Sequence, residues 1–285
     1  MTILVSGSSG FLGKKIINLL KSKKIDFLIC SNKSKKVSNF IHINDLSNQK
    51  TINKYKNKIT IFIHFATVYD VDYIKDEKIF NANIIYGLKF FNFAEKINAK
   101  YFLNLDTILS PNINRYAFSK YVFKEFINNF NKKRIKIINL NMDMMFGYKD
   151  KRFFDKFIEK LIKKENSIKL TSCSQYRNIT HVDNIADQIF FIIDNIKKIK
   201  NQDINLGSSK EIKMKEFILI IIEELNKITK NDYRSKILFG SVKDRKGERK
   251  FEKFICDSYF KNETEKDYKK KLKVLICSDI KKYYL

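Results

Sequence analysis

Proline occurs once and glycine only eight times in 285 residues, which argues against long flexible linkers between separately folded parts. The four cysteines, Cys30, Cys173, Cys256 and Cys277, lie far apart and never form a CxxC pair. With only three histidines no zinc-ligand pattern can be assembled, so reduced thiols and no metal are expected. Long apolar runs are missing as well. The longest, FILIIIEELNKI at 217–228, is shorter than the roughly 20 residues a membrane span needs and reads as a buried helix. The opening MTILVSGSSG enters a strand directly and lacks the charged start of a secretory signal, so a cytoplasmic location and no membrane partner are expected. Acidic residues are scarce beside basic ones, giving a net charge of +26. The lysines are spread along the chain rather than gathered in a tract, and no nucleic-acid reading motif accompanies them. No nucleic-acid partner is expected; steering of an anionic substrate is the more modest use of the charge.

What is present is an alternation. Short apolar strands are expected at 2–7, 26–31, 40–45, 60–67, 100–107 and 135–142, with helices at 11–23, 79–98 and 116–130 among them. TIFIHFAT at 60–67 is nearly continuous in apolar residues, as a strand covered on both faces should be. Past residue 147 the pattern changes to a basic helix at 152–165, strands at 167–172 and 203–208, helices near 181–196 and 214–230, and a mixed tail. Strand–helix alternation is the signature of an α/β, Rossmann-like doubly wound parallel sheet, here with a smaller C-terminal substrate-binding lobe. The expected division is a dinucleotide-binding domain at 1–147, to which 178–210 returns, and a lobe made of 148–177 and 211–285.

Two motifs carry chemistry. GSSGFLG places Gly7, Gly10 and Gly13 between a strand and a helix, the context in which glycines admit a dinucleotide diphosphate to a helix N-terminus. A tight turn with no ligand is the plain alternative. At the end of the second strand a carboxylate would mark NAD, but the chain reads CSNKSKK. Ser31, Asn32 and Lys33 can serve a 2′-phosphate, so NADP(H) is preferred over NAD(H), which stays possible; these lysines also fit a solvated loop. Asp45, expected at the end of the third strand, is placed to touch the adenine or to cap a loop. The second motif is Tyr116 and Lys120 in NRYAFSKYVFKEF, four apart on one helical face. A neighbouring ammonium pulls a phenol down from about 10, so that it can exchange a proton with a substrate oxygen.

In that order and spacing the two motifs resemble the extended short-chain dehydrogenase/reductase family, the NAD(P)-dependent epimerases and dehydratases. HFAT at 64–67, NMDMMFG at 141–147, YRNITHVDNIAD at 176–187 and INLGSS at 204–209 add to the likeness, which spans roughly residues 1 to 250. NLDTILSPNINRYAFSK, IKLTSCSQYRNITHV and FGSVKDRKGE resemble CDP-paratose and CDP-abequose synthases, which are 4-ketoreductases of CDP-linked 3,6-dideoxyhexoses. The resemblance implies that Ser9, Phe11 and Leu12 join the glycines around the cofactor, with Leu46, Phe65, Ala66, Thr67 and Asn83. It also implies that Tyr116 and Lys120 adjoin the cofactor, Lys120 binding the nicotinamide ribose, that Asn141 touches the diphosphate or sugar, and that Arg177 and Arg245 clamp the diphosphate, where ion pairing at the surface is the alternative. His64 and His181 read as packed, hydrogen-bonded residues.

The hydroxyl that orients a substrate carbonyl falls on Leu105 in one alignment and on Thr107 in another. The chemistry requires a hydroxyl, so Thr107 is the choice, with a turn-forming role as its alternative. Thr107 is followed by Ile108 and Leu109 rather than by the acid pair of a dehydratase. The expectation is an NADPH-dependent 4-ketoreductase acting on a nucleotide-sugar substrate for surface polysaccharide. A 4-epimerase with tightly held NAD and a non-catalytic NADP-sensing protein are the rivals. By family analogy helices 79–98 and 116–130 would pair with a second copy, giving a homodimer.

Overall fold

The computed structural model describes residues 1–32, 39–70, 75–132, 135–163, 167–244 and 253–283. In chain order they form β1 (Thr2–Ser6), α1 (Phe11–Ser22), β2 (Phe27–Ser31), β3 (Phe40–His42), a 3₁₀ turn (Ile43–Ser47), α2 (Gln49–Tyr55) and β4 (Ile59–His64). Next come α3 (Asp76–Phe80), a π-helical turn (Asn81–Ile85), α4 (Tyr86–Lys96), β5 (Tyr101–Thr107), α5 (Arg115–Asn129), β6 (Lys136–Met142) and β7 (Met144–Phe146). They are followed by α6 (Phe153–Ile162), β8 (Ile168–Lys169), β9 (Tyr176–Arg177), β10 (Ile179–His181), α7 (Val182–Asp194) and β11 (Asp203–Asn205). The chain ends with β12 (Ile212–Lys213), α8 (Met214–Thr229), β13 (Ile237–Leu238) and α9 (Glu265–Lys281). Two compact units result: unit 1 is Met1–Met142 with Ile189–Ile204, and unit 2 is Asp143–Gln188 with Asn205–Leu285. Residues 143–147, 178–188 and 205–210, expected with the first domain, therefore group with the second unit.

Unit 1 is built on a seven-stranded sheet in the order β11-β6-β5-β4-β1-β2-β3, whose described registers are parallel. The expected doubly wound α/β fold is what forms. The chain starts in the middle, runs out through β2 and β3, and returns to the other side of β1 with β4. The strand order therefore reverses between β1 and β4, where such sheets bind ligands at their carboxyl ends. Aromatic side chains fill the layer between sheet and helices. The Phe62 ring on β4 sits 5.0 Å from Phe90 on α4, and Phe102 on β5 sits 5.1 Å from Phe91. One row of this apolar layer is polar: Ser6, His64, Asn104 and Asn139 stand opposite one another on β1, β4, β5 and β6.

Several local expectations change. The third strand stops at His42 because the His42 ring accepts the Asn44 N–H at 3.2 Å and starts the 3₁₀ turn, which carries Asp45 past the strand end. The polar helix α2 buries only Ile52 and so shows little periodicity; Asn48 caps it by accepting the Lys50 N–H at 2.8 Å. The strand expected at 203–208 ends at Asn205, two residues before Gly207 with φ at +139°.

Unit 2 has short paired ladders rather than a sheet: β7 with β10, β9 with β12, and β8 with β13. Its core is carried by side chains from helices. Phe146 lies 5.3 Å from both Phe154 and Phe217, and Leu272, Ile276 and Ile280 of α9 join the same cluster. Asn178 ties its loops together, donating to the carbonyls of Ser208 at 2.6 Å and Phe254 at 2.9 Å while accepting from the Ser208 N–H at 2.9 Å.

Candidate active site

The glycine turn between β1 and α1 sits at the sheet's reversal point. Gly7 has φ at +71°, and a Cβ there would stand 2.5 Å from the Ala66 nitrogen, so the loops after β1 and β4 approach backbone to backbone. A Cβ on Gly13 would strike the Gly7 carbonyl. Gly10 caps α1 in extended conformation with no side-chain acceptor, and the first turn of α1 holds no carboxylate. The partial positive charge of the helix end is thus left uncancelled, which fits a diphosphate. Ser9 and Gly10 are exposed and Phe11 is half-buried, whereas Leu12 is packed in the core. Ser31 ends β2 half-buried, and Asn32 follows it exposed. Lys33 lies outside the described residues. Asp45 is exposed on the 3₁₀ turn, while Leu46 is buried in the core and offers a ligand only its backbone. Burial first, and the Asp45 charge second, push the Cys30 thiol on β2 up to about 12, which makes it inert. The turn, Ser31, Asn32 and the segment Phe65, Ala66 and Thr67 together fit a dinucleotide lying across β1 and β4.

Asn83 differs from the expectation that it contacts the cofactor. It sits in the π-helical turn, 1% exposed, and its amide is fully committed within the protein. Its oxygen accepts from the Thr67 hydroxyl at 3.1 Å and the Val68 N–H at 2.7 Å, and its nitrogen donates to the Val68 carbonyl at 2.9 Å and the Ser119 hydroxyl at 2.9 Å. An amide has two donors and two acceptor sites, so none is left for a ligand. Asn83 instead pins the loop after β4 to α5.

The β5–α5 corner holds the phenol and ammonium. Asn114 caps α5, accepting the Ala117 N–H at 2.8 Å, and this sets Tyr116 in the first turn. Tyr116 packs against Tyr69 with ring centroids 4.7 Å apart and the rings tilted by 35°. Arg115 grips Asp70 through both its backbone N–H and its guanidinium, each at 2.9 Å, and reaches Asp76 as well. Hydrogen bonding to Arg115 holds the Asp70 carboxyl below its ordinary value. Lys120 is 3% exposed; burial pulls its ammonium down and the Asp106 charge pulls it back up. Thr107 ends β5 half-buried, and its oxygen accepts the Leu109 N–H at 3.3 Å. That leaves its hydroxyl hydrogen to donate. Asn141 faces Asp106 across the β5–β6 pair.

His64 takes the structural part expected of it. It bonds Ser6 at 2.7 Å among the rings of Phe90, Phe102 and Phe123, and burial drives its pKa down to about 3. His181, in unit 2, bonds Asp279 at 2.9 Å. Arg177, also in unit 2, lies on β9 with its guanidinium 3.0 Å from the buried Asp143, so at least part of its donor fork is spent internally. Arg245 lies outside the described residues. The residues that sequence reasoning missed, Asp70, Arg115, Ser119 and Asp106, belong to no short motif; only the position of Arg115 and Ser119 beside Tyr116 and Lys120 could have drawn notice.

The glycine turn, the fourth-strand loop and the Tyr116–Lys120 helix are thus gathered around one reversal point of the sheet. The profile of the NAD dependent epimerase/dehydratase family matches residues 3–207. The chain belongs to that family. Family members are NAD(P)-dependent enzymes acting on nucleotide sugars. Among relatives, CDP-abequose synthase of Salmonella typhimurium is 24% identical over 86% of this chain and 87% of its own length. GDP-6-deoxy-D-talose 4-dehydrogenase of Aggregatibacter actinomycetemcomitans is 25% identical over 72% of this chain and 74% of its own. The structure of UDP-N-acetylglucosamine 4-epimerase from Methanobrevibacter ruminantium M1, in complex with UDP-N-acetylmuramic acid, superposes with a TM-score of 0.76 at 18% identity, covering 99% of this chain and 98% of that one. That likeness is one of fold. Among the described residues no helix is long and apolar enough to cross a membrane, and no cluster of His, Cys, Asp and Glu could hold a metal ion.

Proposed function

We propose that this epimerase/dehydratase family member is an NADPH-dependent 4-ketoreductase of a nucleotide-linked deoxysugar, of the CDP-3,6-dideoxyhexose type, serving surface polysaccharide synthesis. The observation that carries the reading is the β5–α5 corner. There a hydroxyl with its hydrogen to give ends β5, apolar Ile108 and Leu109 follow it, and a phenol and a buried ammonium share one face of α5. Elimination of water needs an acid and a base beside the threonine, and two apolar side chains supply neither.

The bound nicotinamide would supply the hydride. Tyr116 gives its proton to the keto oxygen as that oxygen gains charge, and Thr107 donates a hydrogen bond to the same oxygen and fixes its direction. Lys120 stabilises the tyrosinate left behind, and its burial makes each interaction stronger than it would be in water. Around the cofactor, the glycine turn would receive the diphosphate, Ser31, Asn32 and Lys33 the 2′-phosphate, and Asp45 the adenosine. Asn141, Arg177 and Arg245 would serve the nucleotide-sugar. The relative named CDP-abequose synthase supports the substrate class. The exposed side chains of Ile85 on the π turn, Phe118, Tyr121 and Phe126 on α5 and Phe130 just past it support burial of that face in a homodimer.

The test is a panel of nucleotide-linked 4-keto sugars scored by loss of NADPH absorbance, with NADH alongside. Consumption of NADPH with a CDP-linked 4-keto-deoxysugar is the expected result. Interconversion of UDP- or CDP-hexoses with no added reductant would make the chain an epimerase instead. NADPH binding with no turnover on any sugar would make it a sensor.

A further inference from the structure

Lys120 is followed one turn later by Lys124, so α5 carries two ammoniums on the face it turns toward the sheet, in line with Tyr116. Placing two cations this close, one of them 3% exposed, requires a counter-charge. Asp106, 6% exposed on β5 beneath α5, is the carboxylate whose charge acts on Lys120. Its Oδ2 lies 3.5 Å from the Lys124 Nζ, and the same Nζ lies 2.6 Å from Asp203 on β11. Lys124 therefore has a second carboxylate of its own, whereas no ion pair is formed by Lys120 among the described residues.

We infer that Asp106 is a positioning residue that keeps Lys120 a cation, and that Lys124, held by Asp203, sets how much of the Asp106 charge Lys120 receives. The inference rests on the Tyr116–Lys120 reading of the site. The charged and titratable groups that face this corner, among those described, are Asp106 from β5, His64 from β4, Asp203 from β11, and Tyr116 and Lys124 from α5 itself. Asp106 attracts the buried ammonium, and Lys124 competes for it by engaging Asp106 at 3.5 Å. His64 bears no charge at neutral pH, since burial holds its pKa near 3. Burial alone drives a lysine toward the neutral amine, which could not hold Tyr116 in its reactive range. Asp106 works against that drive from a position no motif marks.

Two single substitutions should move Lys120 in opposite directions. The protein is labelled with 13Cε-lysine, the Lys120 resonance is assigned by its loss in Lys120→Arg, and its titration is followed by NMR on the full chain. Asp106→Asn should lower the Lys120 midpoint by about 1 pH unit or more, the usual scale for a close opposite charge. Lys124→Met should raise it. A role in packing alone would move neither midpoint, so unmoved midpoints, or shifts in the same direction, overturn the inference. If Asp106→Asn does not fold, Lys124→Met decides by itself: a raised midpoint supports the inference, and an unchanged or lowered one refutes it. The readout needs no substrate. Turnover lost in Tyr116→Phe with Lys120 unmoved in these variants would therefore sink the Asp106 assignment and leave the reductase reading standing.

Discussion

Between Ser6 and Gly13 the chain shapes its candidate site by omission. Gly7, Gly10 and Gly13 leave space where side chains would sit, and the contacts that fix the turn are backbone to backbone. Between Thr107 and Lys124 it makes its site by side chains satisfying one another. Asn83 spends its whole amide on Thr67, Val68 and Ser119, Arg115 binds Asp70, and Lys124 stands between Asp106 and Asp203. The two halves should fail differently. Damage to the turn should abolish cofactor binding, and damage to the corner should abolish chemistry while the cofactor still binds.

The sharpest break in that contrast is Tyr116→Phe. Removing the proposed proton donor should cut turnover by about 10²–10⁴-fold, with NADPH affinity, read from the quenching of cofactor fluorescence, unchanged. Loss of affinity in this variant would erase the distinction. Gly13→Ala tests the opposite half. Its Cβ meets the Gly7 carbonyl, which cannot retreat without moving the turn. Overpacking of this kind costs about 1–3 kcal/mol, and NADPH binding should weaken far more than stability does, as a denaturant titration run beside the binding curve would show.

Asn83→Leu probes the pin that joins the halves. It strands the Val68 N–H and carbonyl and the Thr67 hydroxyl, at about 1–3 kcal/mol for each group left unpaired, and should lower both stability and turnover although Asn83 has no bonding capacity left for a ligand. Unchanged stability would mean that those groups find other partners.

A smaller effect sharpens the corner alone. His64 is neutral when folded, with its pKa at about 3, and titrates near 6.5 when unfolded. Its contribution is complete above pH 6.5 and is lost as pH falls toward 3, by at most about 1.4 kcal/mol per pH unit. His64→Asn should therefore be less stable at pH 7 yet lose less on acidification to pH 4; equal slopes would contradict the buried neutral ring. The least effect is expected for Asp76→Asn, because Asp76 is 68% exposed and Asp70 holds Arg115 without it. Melting temperature and turnover should stay within error.

The difference between the halves also explains what could be read from sequence. A turn that only glycine can make leaves glycines at fixed spacing, so Gly7, Gly10 and Gly13 were visible at once, as was the i, i+4 pairing of Tyr116 with Lys120. Asn83 reaches Ser119 across 36 residues, and Arg115 reaches Asp70 across 45. No local pattern encodes such partners, so for Asn83 only the resemblance speaks, and it points to the cofactor. FIHIND alternates well enough to hide the turn that His42 starts, which carries Asp45 beyond the strand end. In unit 2 the strands are too short for a period of two to show, and packing against α8 and α9 decides their place. For Arg177 the sequence leaves a diphosphate clamp and an ion pair both open, since nothing local marks Asp143 as its partner.

The most direct measurement is a reduction assay on purified protein with a CDP-linked 4-keto-3,6-dideoxyhexose and NADPH, following absorbance and product together. The account expects one NADPH consumed for each 4-hydroxy sugar formed by the wild type, and almost none by Tyr116→Phe. Equal rates in the two proteins, or sugar interconversion without consumption of NADPH, would contradict it.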